Sequence, residues 1–164
     1  MIRFVFYIFI SYFFSIKLSV ALEGQCRFEE VYKNGETTSG LLIASNEKIR
    51  YEYFDPNLFT IIYSDQKVYL INNKFYEKSE LINDSRAHLF KKLASIALIY
   101  PNIEENLKFD DLLIDIEKST NVLFPKRIGI KSDKINLSIY LYDCASKPIN
   151  QLFFKINPMF EYPR

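Results

Sequence analysis

From residue 25 onward the hydrophobic and polar positions fall into short alternating stretches broken by turn residues. Cys26, Phe28 and Glu30 share one face of a strand against Arg27, Glu29 and Val31, because successive side chains in a strand point to opposite sides. Asn34-Gly35 marks a turn and residues 40–44 resume as a short apolar strand, which predicts a hairpin. Strands follow at 47–54, 58–63 and 67–72, separated by Asp55-Pro56-Asn57 and Ser64-Asp65-Gln66, with 75–81 as a sequel. Turns this closely spaced describe an antiparallel meander.

The period changes at Asp84. A capping Asp, apolar Leu89, Phe90, Leu93, Ile96 and Ala97, and a stop at Pro101 predict a helix over 84–100. Residues 104–118, with Leu107, Leu112, Leu113 and Ile116 among acids, predict a second helix, although the run 112–116 is short enough to be a strand instead. Strand character returns at 122–124, 127–131, 135–142 and 151–156. Helices between two blocks of strands, with no repeat or linker, predict one α+β domain over residues 22–164.

The strands are apolar on more than one side. Ile49, Tyr51 and Tyr53 share a face, as do Phe59, Ile61 and Tyr63, while Val68 and Leu70 oppose an equally apolar Tyr69 and Ile71. A strand with one wet face is apolar on one side only. Either a sheet covered by helices and curved around a cavity, or a two-layer sandwich, accounts for the pattern.

The amino terminus reads as a secretory signal over residues 1–21. Arg3 supplies the positive start, Phe4 to Phe14 the apolar run, and Ser19-Val20-Ala21 the cleavage site. Ser11, Ser15 and Lys17 interrupt the stretch before the roughly 20 apolar residues of a membrane span. Gln25 before Cys26 does not fit a lipidation site. Export makes Cys26 and Cys144 candidates for a disulfide. The loop so closed is worth roughly 5 kcal/mol on chain entropy alone; the alternative is two unrelated small hydrophobes.

Composition narrows the chemistry. The 164 residues are 49% hydrophobic and 25% charged with net charge +1, an ordinary globular balance without the basic excess that nucleic-acid binding needs. His88 is the single histidine and lies in the predicted helix without a nucleophile-base-orienter set. The pairs Glu104-Glu105 and Asp110-Asp111 read as a solvated side more readily than as acid–base or metal pairs. Four glycines leave no phosphate-cradling loop, and the cysteine spacing forms no zinc motif. No catalytic residue, metal or cofactor is expected, and a secreted enzyme using an acidic pair is the outlying alternative. What stands out is 15 Phe and 12 Tyr without a Trp.

The run "GLLIASNEKIRYEYFDPNLFTIIYSDQKVYLINN", Gly40 to Asn73, resembles the signature of the periplasmic outer-membrane lipoprotein carriers of the LolA type. Ile49-Arg50-Tyr51-Glu52-Tyr53, Pro56, Ile61-Ile62-Tyr63-Ser64-Asp65 and Val68-Tyr69-Leu70 follow its aromatic strand, proline turn and "iivsDGk-lwlY" pattern in order. The closing "INLSIYLYDCASKPINQLFFKINP" is similar to the family's last strands. Where the family commonly has Arg-Pro, this chain has Ser45-Asn46.

The resemblance implies an unclosed, strongly curved antiparallel half-barrel with helices as a lid over a hydrophobic cavity. It implies a monomeric periplasmic carrier that takes lipoprotein acyl chains from an inner-membrane ABC transporter to an outer-membrane acceptor. A lipid- or protein-binding envelope-stress sensor of the same fold is the alternative. One acyl chain of about sixteen carbons is held from water by roughly 12 kcal/mol, so a carrier needs an adaptable apolar lining. The expected lining is Ile49, Tyr51, Tyr53, Phe59, Ile61 and Tyr63, with Leu137, Ile139 and Leu141 opposite and Leu89, Phe90 and Leu93 from the helix.

Overall fold

The computed structural model describes residues 23–75, 78–120 and 124–156. The expected signal, 1–21, and residues 122–123 of one expected strand lie outside the described residues. The first meander is β1 (Gly24–Tyr32), β2 (Thr37–Ser45), β3 (Lys48–Tyr53), β4 (Phe59–Ser64), β5 (Lys67–Asn72) and β6 (Ser79–Ile82). Helix α1 (Ser85–Ile99) follows, then β7 (Asn106–Phe109), β8 (Leu112–Glu117), β9 (Arg127–Lys131), β10 (Asn136–Ala145) and a 3-10 turn at Gln151–Phe154. All these strands form one antiparallel sheet in the order β6-β5-β4-β3-β2-β1-β10-β9-β8-β7. Two meanders are thus joined where β10 pairs with β1, and the sheet is open at β6 and β7.

The mostly-β architecture corrects the expected α+β half-barrel with helices as a lid. Residues 104–118 form the β7–β8 hairpin, not a helix. Leu112, Ile114 and Ile116 are buried at every second position while Leu113 is half exposed, so the strand period wins over the helical one. Asp110, at φ 53°, makes the turn. Among the described residues one α-helix of 15 residues remains, too little to roof a sheet of this width. The run 151–156 is likewise no strand: the Asn150 side chain accepts from Leu152 N at 3.0 Å and starts the 3-10 turn.

Helix α1 begins where Asp84 Oδ1 accepts from the backbone N–H of Arg86 at 2.9 Å, satisfying a donor the first turn would otherwise orphan. Together with 100–105 it links one edge of the sheet to the other. Leu70 of β5 and Ile130 of β9 stand six places apart in strand order, about 29 Å on a flat sheet. Both line one cavity against α1, so the sheet bends around the helix.

The doubly apolar strands have a physical explanation. The inner face carries Phe28, Ile49, Tyr51, Ile61, Val68 and Leu70 toward α1. The outer face carries Leu41 and Ile43, which Ile149 and Phe154 cover. Arg50 Nη1 donates to Phe153 O at 3.0 Å and Gln151 Nε2 donates to Ser45 Oγ at 3.0 Å, fixing this carboxy-terminal segment over β2 and β3.

Cys26 and Cys144 are bonded to each other. The β1–β10 register shifts between Gln25 and Arg27, so Asp143, at φ 51°, and Cys144 face the single residue Cys26. A bulge of this kind re-aims a side chain, and here it brings the two sulfurs together.

Candidate functional site

The site starts from a gap in β2. In the strand register Phe28 pairs with Gly40 and Gly40 with Tyr53. A Cβ at Gly40 would run into the Glu52 carbonyl and the Phe28 ring. With no side chain there, the Phe28 ring reaches across β2 to stack on Tyr51 of β3, centroids 3.8 Å apart at 14°. Tyr53 meets Phe28 edge-on at 5.4 Å, and Phe90 of α1 meets Tyr51 edge-on at 5.9 Å.

Two positions along β1, Glu30 is turned to the same face and is only 4% exposed. Its Oε1 accepts from Tyr51 Oη at 2.9 Å and Tyr53 Oη at 3.0 Å. Its Oε2 accepts from Tyr32 Oη at 2.5 Å and Thr38 Oγ1 at 3.0 Å. Four hydroxyl donors thus fill the four acceptor positions of one carboxylate. Burial pushes Tyr51 and Tyr53 well above the ordinary tyrosine value, and the Glu30 charge adds to it. Tyr32 is pushed up to about 12, by burial first and the hydrogen bond to Glu30 second. All three phenols therefore stay neutral donors at ordinary pH.

Beside this cluster lies a cavity of about 560 Å³ between the sheet and α1, within the range of roughly 300–1,000 Å³ typical of small-molecule sites. Tyr51, Tyr53, Phe59, Ile61, Leu89, Phe90, Leu93 and Ile139 border it. Glu36, Phe59 and Arg86 are its exposed lining residues and mark its mouth. Asn73, buried, holds the adjoining loop: its amide donates to the Tyr53 carbonyl at 2.8 Å and accepts from Thr60 Oγ1 at 2.8 Å.

The remaining expected lining residues lie elsewhere. Ile49 and Leu141 are buried in the main core, 4% and 8% exposed. Tyr63 packs on the Val68 and Leu70 cluster. Leu137 borders a separate groove across β7 to β10. The sequence reading passed over Glu30, Leu58, Leu70, Ile82 and Ile130, which also border the cavity. Glu30 carried a signal: it is a carboxylate in the same alternating register as Cys26 and Phe28.

His88 is exposed on α1, and Asp110-Asp111 form the exposed β7–β8 turn. Among the described residues no group of three His, Cys, Asp or Glu side chains is arranged to hold a metal ion. No helix among them is long and apolar enough to cross a membrane.

No family model matches the chain. Over 87 residues, 52% of its length, it is 36% identical to the uncharacterized protein MG415 of Mycoplasma genitalium, and the match spans 12% of that protein.

Proposed function

We propose that this chain is a non-enzymatic binding protein of an exported, disulfide-permissive compartment that shelters one hydrocarbon chain in the cavity under α1. The observation that carries this reading is the cavity itself, about 560 Å³, with Leu58, Ile61, Leu89, Phe90 and Leu93 on its walls. A hollow lined by such residues gives up about 25 cal/mol for each Å² of apolar surface left wet, and an alkyl chain recovers it. The Cys26–Cys144 bond supports a compartment outside the reducing cytosol. The resemblance to lipoprotein carriers supplies the cargo, the acyl chains of lipoproteins, and the periplasm as the place. The expected transporter and acceptor belong to the same proposal. The lid control that the resemblance implies does not carry over, since Ser45-Asn46 stand where the family has Arg-Pro and α1 is the one α-helix among the described residues.

Delipidated protein titrated with a fluorescent fatty-chain probe tests the reading. The expected result is saturable binding of one chain per molecule, weakened at least tenfold by Leu93→Glu with the circular dichroism spectrum retained. Probe that binds no better than to a control protein removes the carrier function. Native mass spectrometry of gently isolated protein then identifies the cargo; a stable protein complex without lipid favours the sensor.

A further inference from the structure

The polar end of the cavity narrows the ligand further, on the reading that the cavity holds a chain. Glu30 places a carboxylate in the cavity wall, and among the described residues no lysine or arginine pairs with it. The other charged lining residues are Glu36 and Arg86. Arg86 is already engaged, its Nη2 lying 2.6 Å from Asp84 Oδ2, so the uncompensated charge of the wall is negative.

The hydroxyls around Glu30 spend their protons on its carboxylate. Each hydroxyl oxygen keeps acceptor capacity, polarised by the charge behind it. Tyr32, Thr38 and Tyr53, which all line the cavity, thus present acceptors and no free donors. Such a wall suits a head group that is positively charged and donates hydrogen bonds. It repels a carboxylate or phosphate, and it offers a neutral hydroxyl an acceptor but no charge.

We infer that the ligand is an aminolipid: its alkyl chain lies against Ile61, Leu89, Phe90 and Leu93, and its protonated amine sits at the Glu30–tyrosine cluster. No bond is made or broken; the specificity is electrostatic.

Calorimetric titration of the delipidated protein at neutral pH with dodecylamine, dodecanol and dodecanoate, each below its micellar concentration, tests this. The amine is expected to bind about tenfold more tightly than the alcohol, about the effect of one well-placed cation contact, and dodecanoate the most weakly. In Glu30→Gln the ratio of amine to alcohol affinity is expected to fall to about one. If that variant does not fold, Tyr53→Phe, which keeps the ring and removes one acceptor, lowers the amine preference by about threefold. Alcohol or dodecanoate matching the amine in the native protein overturns the inference and leaves Glu30 as a clamp between strands. Failure of all three to bind overturns the carrier function as well.

Discussion

Two ends of one inner sheet face are finished differently. Under β8, Ile114 and Ile116 are 1% exposed and share a cluster with Ile96, Tyr100, Ile103 and Phe124, close to the Cys26–Cys144 bond. Under β3 and β4, Tyr53 and Ile61 stay half-buried against Leu89, Phe90 and Leu93 because they border a void. Both ends alternate apolar residues, so hydrophobicity alone does not decide which one fills. Branched side chains from facing elements interdigitate at one end. At the other, rings tied through their hydroxyls to Glu30 cannot swing inward without leaving a buried carboxylate short of donors, at about 1–3 kcal/mol each. The hydrogen bonds prop the hollow open.

The strongest way to break the comparison is at the filled end. The disulfide joins residues 118 apart in sequence, and its reduction removes up to roughly 5 kcal/mol of stability by loop entropy. Urea unfolding with and without a reductant measures this, and equal midpoints would show that the filled end stands without its crosslink. Next in size is a matched pair. Ile114→Ala, at a site 1% exposed, should cost about 2–5 kcal/mol, whereas Leu93→Ala should cost about 1 kcal/mol because its neighbours already face empty space. Similar losses in the two variants would mean that the void is filled in solution.

The prop itself has a smaller effect. Tyr51→Phe removes one donor from buried Glu30 and should cost about 1–2 kcal/mol, measured by thermal unfolding. Alkaline pH attacks the same cluster. A phenol with a raised folded value binds its proton more tightly in the fold, so its contribution is whole below pH 10 and fades as pH rises. For Tyr32 the loss runs from 10 to about 12. Tyr51 and Tyr53, raised further by burial and by Glu30, extend it to higher pH. Tyrosinate absorbance rising together with unfolding above pH 10 is the expected record; ionisation of every tyrosine in a still-folded protein would contradict it.

The hairpins of the first meander were legible because their pairing is local and each strand keeps its own alternation. The two-residue turns at Asn46-Glu47 and Asp65-Gln66 both lie at positive φ without a glycine, and of the two only the second was read as a turn. Helix α1 announced itself through Asp84. Residues 104–118 did not, since Leu107, Leu112, Leu113 and Ile116 among acids fit either period and Asp110-Asp111 is an inconspicuous turn. At 151–156, Leu152 and Phe153 are largely exposed while Phe154 is buried, so a single anchor, not an alternating face, holds that segment. In the site, the apolar walls of β3, β4 and α1 could be read strand by strand. The Glu30 cluster could not, because three of its four partners stand 8, 21 and 23 residues away. Nor does alternation reveal which apolar face meets a partner and which meets a void.

The smallest expected change in stability gives the sharpest contrast. Overpacking a filled core typically costs about 1–3 kcal/mol. Leu93→Phe adds its extra atoms where the wall borders empty space, so stability should move by less than about 0.5 kcal/mol, because new contacts offset lost side-chain freedom. Binding should respond far more strongly, since a ring in the cavity occupies the volume an alkyl chain needs. Loss of fatty-chain binding at unchanged unfolding temperature would show that the hollow serves a ligand and not the fold. A clear loss of stability with binding intact would show the reverse: Leu93 already packed as tightly as Ile114, and the chain held somewhere other than beneath α1.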